Sequence, residues 1–204
     1  DTSFVVPVIA KFAVAHSATG PGTPVAAGSE VTLTLTAKTV DDKAAVTYKA
    51  ASLLKVSGGS GLKLITAKST GVTEIEPGRY TLSADDWVVG ARTVVFADTV
   101  APDTLTIAVQ DCTDTTNIYV GTADSTVVVG ADARSQIIVD APESVGMGDM
   151  FWVDISYADQ YGNARVTDNG FVSVSANKLG VEIPVGDVPI TKGIGGIWAK
   201  STAW

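Results

Sequence analysis

The sequence predicts an all-β chain folded as two tandem sandwiches, on three observations. Apolar and polar residues alternate one for one along several short stretches, the pattern of strands buried on one face. Val, Ala and Thr are abundant, and Val and Thr suit a pleated, half-buried surface better than a helix. One strand-and-corner pattern occurs twice, first from Gly28 and again from Gly148. The chain has 204 residues, 46% hydrophobic and only 18% charged, so it can supply two packed domains of about 100 residues each.

Residues 1–6 form an N-terminal extension tipped by Phe4, Val5 and Val6, after which Pro7 removes a ladder donor and bends the path. Val8, Ala10, Phe12 and Val14 then alternate with Ile9, Lys11 and Ala13 as a first strand. Residues 17–28 are rich in Gly, Pro and Ala and read as a loop crossing between sheets. Val31, Leu33, Leu35 and Ala37 against Thr32, Thr34, Thr36 and Lys38 predict a central strand with a polar outer face, ended by Asp41 and Asp42. Shorter strand signals follow at 45–48, 53–56 and 62–66, the last two separated by a Gly/Ser run that reads as a flexible hairpin tip. As a phosphate cradle that run fails, because a Walker loop needs Gly-Lys-Ser/Thr opening a helix and Leu62-Lys63-Leu64 opens a strand. Strands at 79–83, 91–97, 104–110 and 125–130 complete the first domain, with Leu105, Ile107 and Val109 inward and a long polar connection at 111–124.

The boundary falls near 131–134, giving domains at 1–130 and 131–204. In the second, Phe151, Val153, Ile155 and Tyr157 alternate with Trp152, Asp154, Ser156 and Ala158, a polar corner follows, and Val172, Val174 and Ala176 resume against Ser173 and Ser175. Residues 28–42 superpose on 148–162 without a gap, 12–15 correspond to 136–139, and 89–97 can be set on 192–200. The first copy then continues through two more strands, whereas the second stops, so the second sandwich is short by about two strands. A sandwich lacking strands exposes an edge that attracts another chain. Three accounts stand side by side: a fragment of a longer multi-domain protein, a smaller variant closed by fewer strands, or completion by a neighbouring subunit. The last uses an extended segment such as residues 1–7 as a donor strand. Six residues reach about 20 Å, enough for one strand and not two. The start at Asp1 rather than Met is expected of a processed terminus or an excised fragment.

The Asp159-Gln160-Tyr161-Gly162-Asn163 corner, with residues 137–142 before it and 193–201 after it, resembles bacterial immunoglobulin-like domains of the invasin, intimin and surface-layer kind. The first copy keeps the layout but has Thr39-Val40-Asp41-Asp42 at its corner, while Trp87-Val88-Val89-Gly90 is similar to the Trp-x-x-Gly before a late strand in such modules. The resemblance implies two immunoglobulin-like β-sandwiches. It also implies an extracellular, cell-surface structural module of a stalk, filament or surface layer, self-associating or contacting neighbouring surface-protein domains, and it carries no catalytic residue across.

A net charge of -8 repels phosphate backbones and anionic lipid surfaces, so nucleic acid is not an expected partner, and no apolar run reaches the roughly 18 residues of a spanning helix. No enzyme is expected. His16 is the only histidine and Cys112 the only cysteine, and their spacing suggests no activated dyad. No Gly-x-Ser-x-Gly, His-Glu-x-x-His or paired-cysteine motif is present. Asp159, Asn163, Asp168 and Asn169 lie near two consecutive turns and Asp111, Asp114 and Asp124 in one loop, oxygens of the type calcium takes, although no alternating Asp ladder accompanies them and no cofactor is expected. None of the four Asn residues is an N-glycosylation acceptor. Trp152, Trp198 and Trp204 remain: an outward Trp152 is suited to a subunit interface or to stacking on a sugar ring. Phe4, Val5, Val6, Trp198 and Trp204 are the candidate assembly residues, and the second functional reading is an adhesin or carbohydrate-binding module with a glycan as partner.

Overall fold

The computed structural model describes residues 9–18, 23–112, 118–120, 126–176, 179–184 and 186–202. The chain divides into two compact units, Asp1–Gly130 and Ala131–Trp204, each with its own core. Both are all-β, built as paired sheets of the immunoglobulin-like sandwich kind.

The first unit runs through β1 (Ile9–His16), β2 (Val25–Ala26), β3 (Glu30–Thr39), β4 (Ser52–Ser57), β5 (Leu62–Leu64) and β6 (Val72–Glu76). It continues with β7 (Arg79–Leu82), β8 (Ala91–Asp98), β9 (Asp103–Asp111), β10 (Ile118–Val120) and β11 (Thr126–Gly130). One sheet has the order β1-β3-β8-β5 and the other β2-β11-β9-β4-β7-β6, with β10 also on β9. The alternation in β3 does what its period requires: Val31, Leu33, Leu35 and Ala37 are buried and the threonines face outward. Leu105, Ile107 and Val109 on β9 close the core from the opposite sheet. Phe12, Tyr48 and Trp87 form its aromatic centre, with Trp87 4.8 Å from Tyr48 and 5.6 Å from Phe12 between ring centroids.

Several sequence expectations need correction. Alternation groups Ala10 with Phe12 and Val14, but Ile9 is buried and Ala10 exposed, because a bulge between Ile9 and Lys11 inserts one residue and reverses the parity. Residues 45–48 are no strand; after one bridge between Lys38 and Ala44 they turn, which carries Ala45 and Tyr48 into the core. The Gly/Ser run is not a hairpin tip, since β4 and β5 belong to different sheets. It is a packed crossover in which the Ser60 amide and hydroxyl both donate to Asp103 at 2.9 Å, and a Cβ on Gly58 would lie 2.1 Å from the Thr104 carbonyl oxygen. The polar connection after β9 contains β10, and the loop before β3 contains β2, both too short to show a period. β6 escapes notice because its Val-Thr-Glu-Ile-Glu lies on the sheet edge with most side chains in water.

The second unit comprises β12 (Gln136–Asp140), β13 (Met150–Ala158), β14 (Gly170–Ser173), β15 (Val181–Glu182), β16 (Asp187–Ile190) and β17 (Ile194–Ser201). Its larger sheet has the order β12-β13-β17-β15, matching β1-β3-β8-β5 strand for strand, and β14 pairs β16 as β4 pairs β7. The repeat extends to single hydrogen bonds. Ala37 and Tyr157 donate to the Gly90 and Gly193 carbonyls, each at 2.8 Å, and the Thr39 and Asp159 amides close the two corners alike by donating to the Lys43 and Asn163 carbonyls. Val89 and Lys192 both take a positive φ ahead of Gly90 and Gly193, also positive. A Cβ on Gly90 would meet the Ala45 carbonyl oxygen, and one on Gly193 the Arg165 carbonyl oxygen, each at 2.3 Å. One register shifts: Phe12 faces Ala37 and Ile137 faces Tyr157, so Phe12 corresponds to Ile137 and not to Gln136.

Candidate functional site

The corner after β13 gathers four hydrogen bonds on one carboxylate. Asp159 is fully buried, and both of its carboxylate oxygens are occupied by N–H donors. Oδ1 accepts from the Tyr161 and Asn163 amides at 2.8 and 2.9 Å, and Oδ2 from the Asp132 amide and Asn163 Nδ2, each at 2.9 Å. Burial alone would raise the Asp159 pKa, but these donors outweigh it and hold the carboxyl below its ordinary value. Arg165 donates to the Ala131 and Asp132 carbonyls at 2.9 and 2.6 Å and grips Asp168 through two nitrogens at 2.9 and 3.3 Å. The guanidinium lowers the Asp168 pKa by hydrogen bonding and charge. Asn169 Oδ1 accepts from the Lys192 amide at 3.0 Å.

The four sequence-nominated oxygen ligands thus fall into one lock at Asp159, Asn163 and Asp168, linked through Asp132 and Arg165, and a second contact at Asn169, each joining a turn to the segment entering or crossing the unit. A calcium ion would have to displace those donors. Among the described residues no cluster of three or more His, Cys, Asp or Glu side chains is placed to hold a metal ion. Asp111 ends β9, while Asp114 and Asp124 lie outside the described residues. Arg165 and Asp132, which sequence reasoning overlooked, are half of this lock; a lone Arg two residues past the corner was the available signal.

The inner face of the larger sheet is open at one side. Phe12 and Val14 on β1 are 0% and 3% exposed, whereas the equivalent Ile137 and Val139 on β12 are 53% and 59% exposed. Their cross-strand partners Tyr157 and Ile155 are buried, so Ile137 and Val139 do point inward. They stay wet because β9 and β11, which continue the second sheet beyond β4, have no counterpart beyond β14 among the described residues. Ile137→Ala should therefore cost under about 1 kcal/mol, against about 3–5 for Phe12→Ala, a contrast that urea unfolding of the two variants reads directly.

On the outer face of the same sheet Trp152 and Trp198 sit opposite each other across β13 and β17, 5.4 Å apart in a T-shaped pair. Trp152 Nε1 donates to Asp154 Oδ1 at 2.7 Å. They border a cleft of about 790 Å³ that also meets Asp140, Asp149, Met150 and Asp154. Phe4, Val5, Val6 and Trp204 lie outside the described residues. His16 and Cys112 belong to strand ends of different sheets, and burial together with Asp111 pushes the Cys112 thiol pKa up, opposite to what a nucleophile needs. No described helix is long and apolar enough to cross a membrane.

No protein-family model matches the sequence, and no curated protein does. Solved structures with similar folds include the Escherichia coli adhesin FdeC, at 16% identity and TM-score 0.45 over 96% of this chain and 57% of that one. The human F-spondin reeler domain is similar at 14% identity and TM-score 0.37 over 62% of this chain and 92% of that one. Domains 5–6 of the S-layer protein SbsC are similar at 16% identity and TM-score 0.30 over 96% and 85%. The chain thus spans little more than half the length of the solved adhesin chain.

Proposed function

We propose that this chain is a structural module of an extracellular assembly, a cell-surface filament, surface layer or stalk, and that it assembles by adding a β-strand to its second unit. The supporting observation is the uncovered inner face at Ile137 and Val139, together with an edge of β14 that no strand pairs among the described residues, where the Phe171 carbonyl accepts from the Tyr157 hydroxyl at 3.3 Å. In the first unit β9 pairs antiparallel with β4 over six residue pairs and supplies apolar side chains at every second position. A strand of that pattern on β14 would satisfy the edge and cover the face, which is the chemistry of strand addition. Residues 1–6 have the required length and carry Phe4, Val5 and Val6. The polar groups of the second unit's corner serve shape rather than turnover, in keeping with the resemblance of the Asp-x-x-Gly-Asn corner to surface modules.

Light scattering and negative-stain microscopy of the chain with and without residues 1–6 test this. Concentration-dependent oligomers or filaments that disappear on removing those residues are expected. A monomer in both forms at high concentration overturns strand donation by this segment.

A further inference from the structure

The outer face of the second unit carries groups that the sandwich itself does not need, and the internal repeat shows it. At the positions of Trp152 and Trp198 the first unit pairs Thr32 with Val95, and at those of Asp154 and Gly196 it pairs Thr34 with Thr93. Asp140, opposite Asp154, corresponds to Ala15, opposite Thr34. The first unit folds with small or β-branched residues at all five places. The second spends apolar exposure on two indoles, 40% and 52% exposed, and sets two carboxylates directly opposite each other, an arrangement that destabilises a sheet.

The indole of Trp152 is also held in place. Gly196 has no side chain where that ring lies: a Cβ there would be 2.3 Å from Cζ2 and 2.5 Å from Cε2 of Trp152. Glycine inside a strand weakens it and marks close approach of another group, here the indole lying across β17. The hydrogen bond to Asp154 leaves from Nε1, the atom next to Cε2, and fixes the orientation of that same edge of the ring. The result is a rigid, half-exposed aromatic platform, a second indole set edge-on beside it, and carboxylate acceptors in the same cleft.

We infer that this face is a saccharide-binding site in which a pyranose ring stacks by its C–H face on Trp152 while its hydroxyls donate to Asp154 and Asp140. An aromatic-cage site for a quaternary ammonium fits less well. Such a cage needs rings on several sides of the cation, and here both indoles rise from one flat sheet face. A dry protein interface fits less well because carboxylates are depleted from interface cores and Asp140, Asp149 and Asp154 all line the cleft.

The test is a printed array of pyranose oligosaccharides probed with the full chain, followed by tryptophan-fluorescence titration of the strongest ligand in solution. Binding is expected to fall about tenfold or more in Trp152→Ala, the loss of one stacking contact worth about 1.4 kcal/mol, and to persist largely in Trp152→Phe, which keeps a ring. Gly196→Ala, which leaves every proposed contact group in place but drives a methyl into the indole, should weaken binding as well. Circular dichroism of each variant confirms that the fold is kept. The inference is overturned if no oligosaccharide on the array is retained, if a ligand binds Trp152→Ala as tightly as the unaltered chain, or if tetramethylammonium displaces the sugar. It is equally overturned if light scattering shows the two indoles buried in a dimer that Trp152→Ala dissolves.

Discussion

Trp87→Ala should destabilise the first unit by about 4 kcal/mol, the range for removing a large aromatic from a packed core. Trp87 is among the largest fully buried side chains, touches Phe12 and Tyr48 ring to ring, and has the Arg92 guanidinium 5.9 Å from its ring centroid. Arg92 is itself buried and anchored on the Thr70 and Ser83 carbonyls at 2.6 and 2.9 Å, so the cavity left by the indole cannot close by a simple inward movement of that chain. Because the two units have separate cores, amide hydrogen exchange should accelerate across β1, β3 and β8 while the amides of β13 and β17 keep their rates. A loss under about 1 kcal/mol would show that the aromatic centre is not what holds the two sheets together.

The second large effect is expected at the corner lock. Asp159→Ala removes four hydrogen bonds to a buried carboxylate and leaves the amides of Asp132, Tyr161 and Asn163 without their acceptor, a loss of about 3 kcal/mol. The core of this unit rests on only a few buried side chains, Val153, Ile155, Tyr157, Val188, Ile190 and Ala199, so a loss of that size should unfold it near room temperature. Asp159→Asn should do almost as badly, since its amide turns donors toward donors.

The same lock sets an acid limit with a definite sign. Asp159 and Asp168 have lowered folded pKa values, so the unfolded state binds more protons and their contribution is present above about pH 4, the ordinary carboxylate value. It is lost as pH falls through the lower folded values. Asp98 in the first unit runs the other way: burial raises its pKa, so its contribution is present below the ordinary value and is lost as pH rises through the raised one. Asp42 is also lowered, by Lys11, but it is exposed and screened. Hydrogen exchange at pH 3 against pH 6 should therefore show the second unit losing protection first. Equal loss in both units would exclude Asp159 as the controlling group.

How much of this was legible beforehand depends on the range over which each feature is encoded. The central strands were, because Val31, Leu33, Leu35 and Ala37, or Val153, Ile155 and Tyr157, state their buried face by a period of two that needs no partner to interpret. The repeat was legible for the same reason, down to the glycines that the turns require at positive φ. The outward setting of Trp152 followed from parity alone.

Other features exist only once strands are paired. The bulge that buries Ile9 instead of Ala10 depends on how β1 meets β3. The change of the Gly/Ser run from hairpin to crossover depends on which sheet receives β5, and β6 and β15 are held by neighbours rather than by their own pattern. The candidate site divides in the same way. Sequence alone named Asp159, Asn163, Asp168 and Asn169 as an oxygen-rich group, but hydrogen bonds from Asp132, Arg165 and Lys192 show them holding the turns of the unit. Composition and alternation determined the all-β class and the duplicated core pattern. Tertiary structure decided which inward faces are covered and which indole is pinned over Gly196, because burial and ring placement depend on what lies across the sheet and not on the residues beside them in the chain.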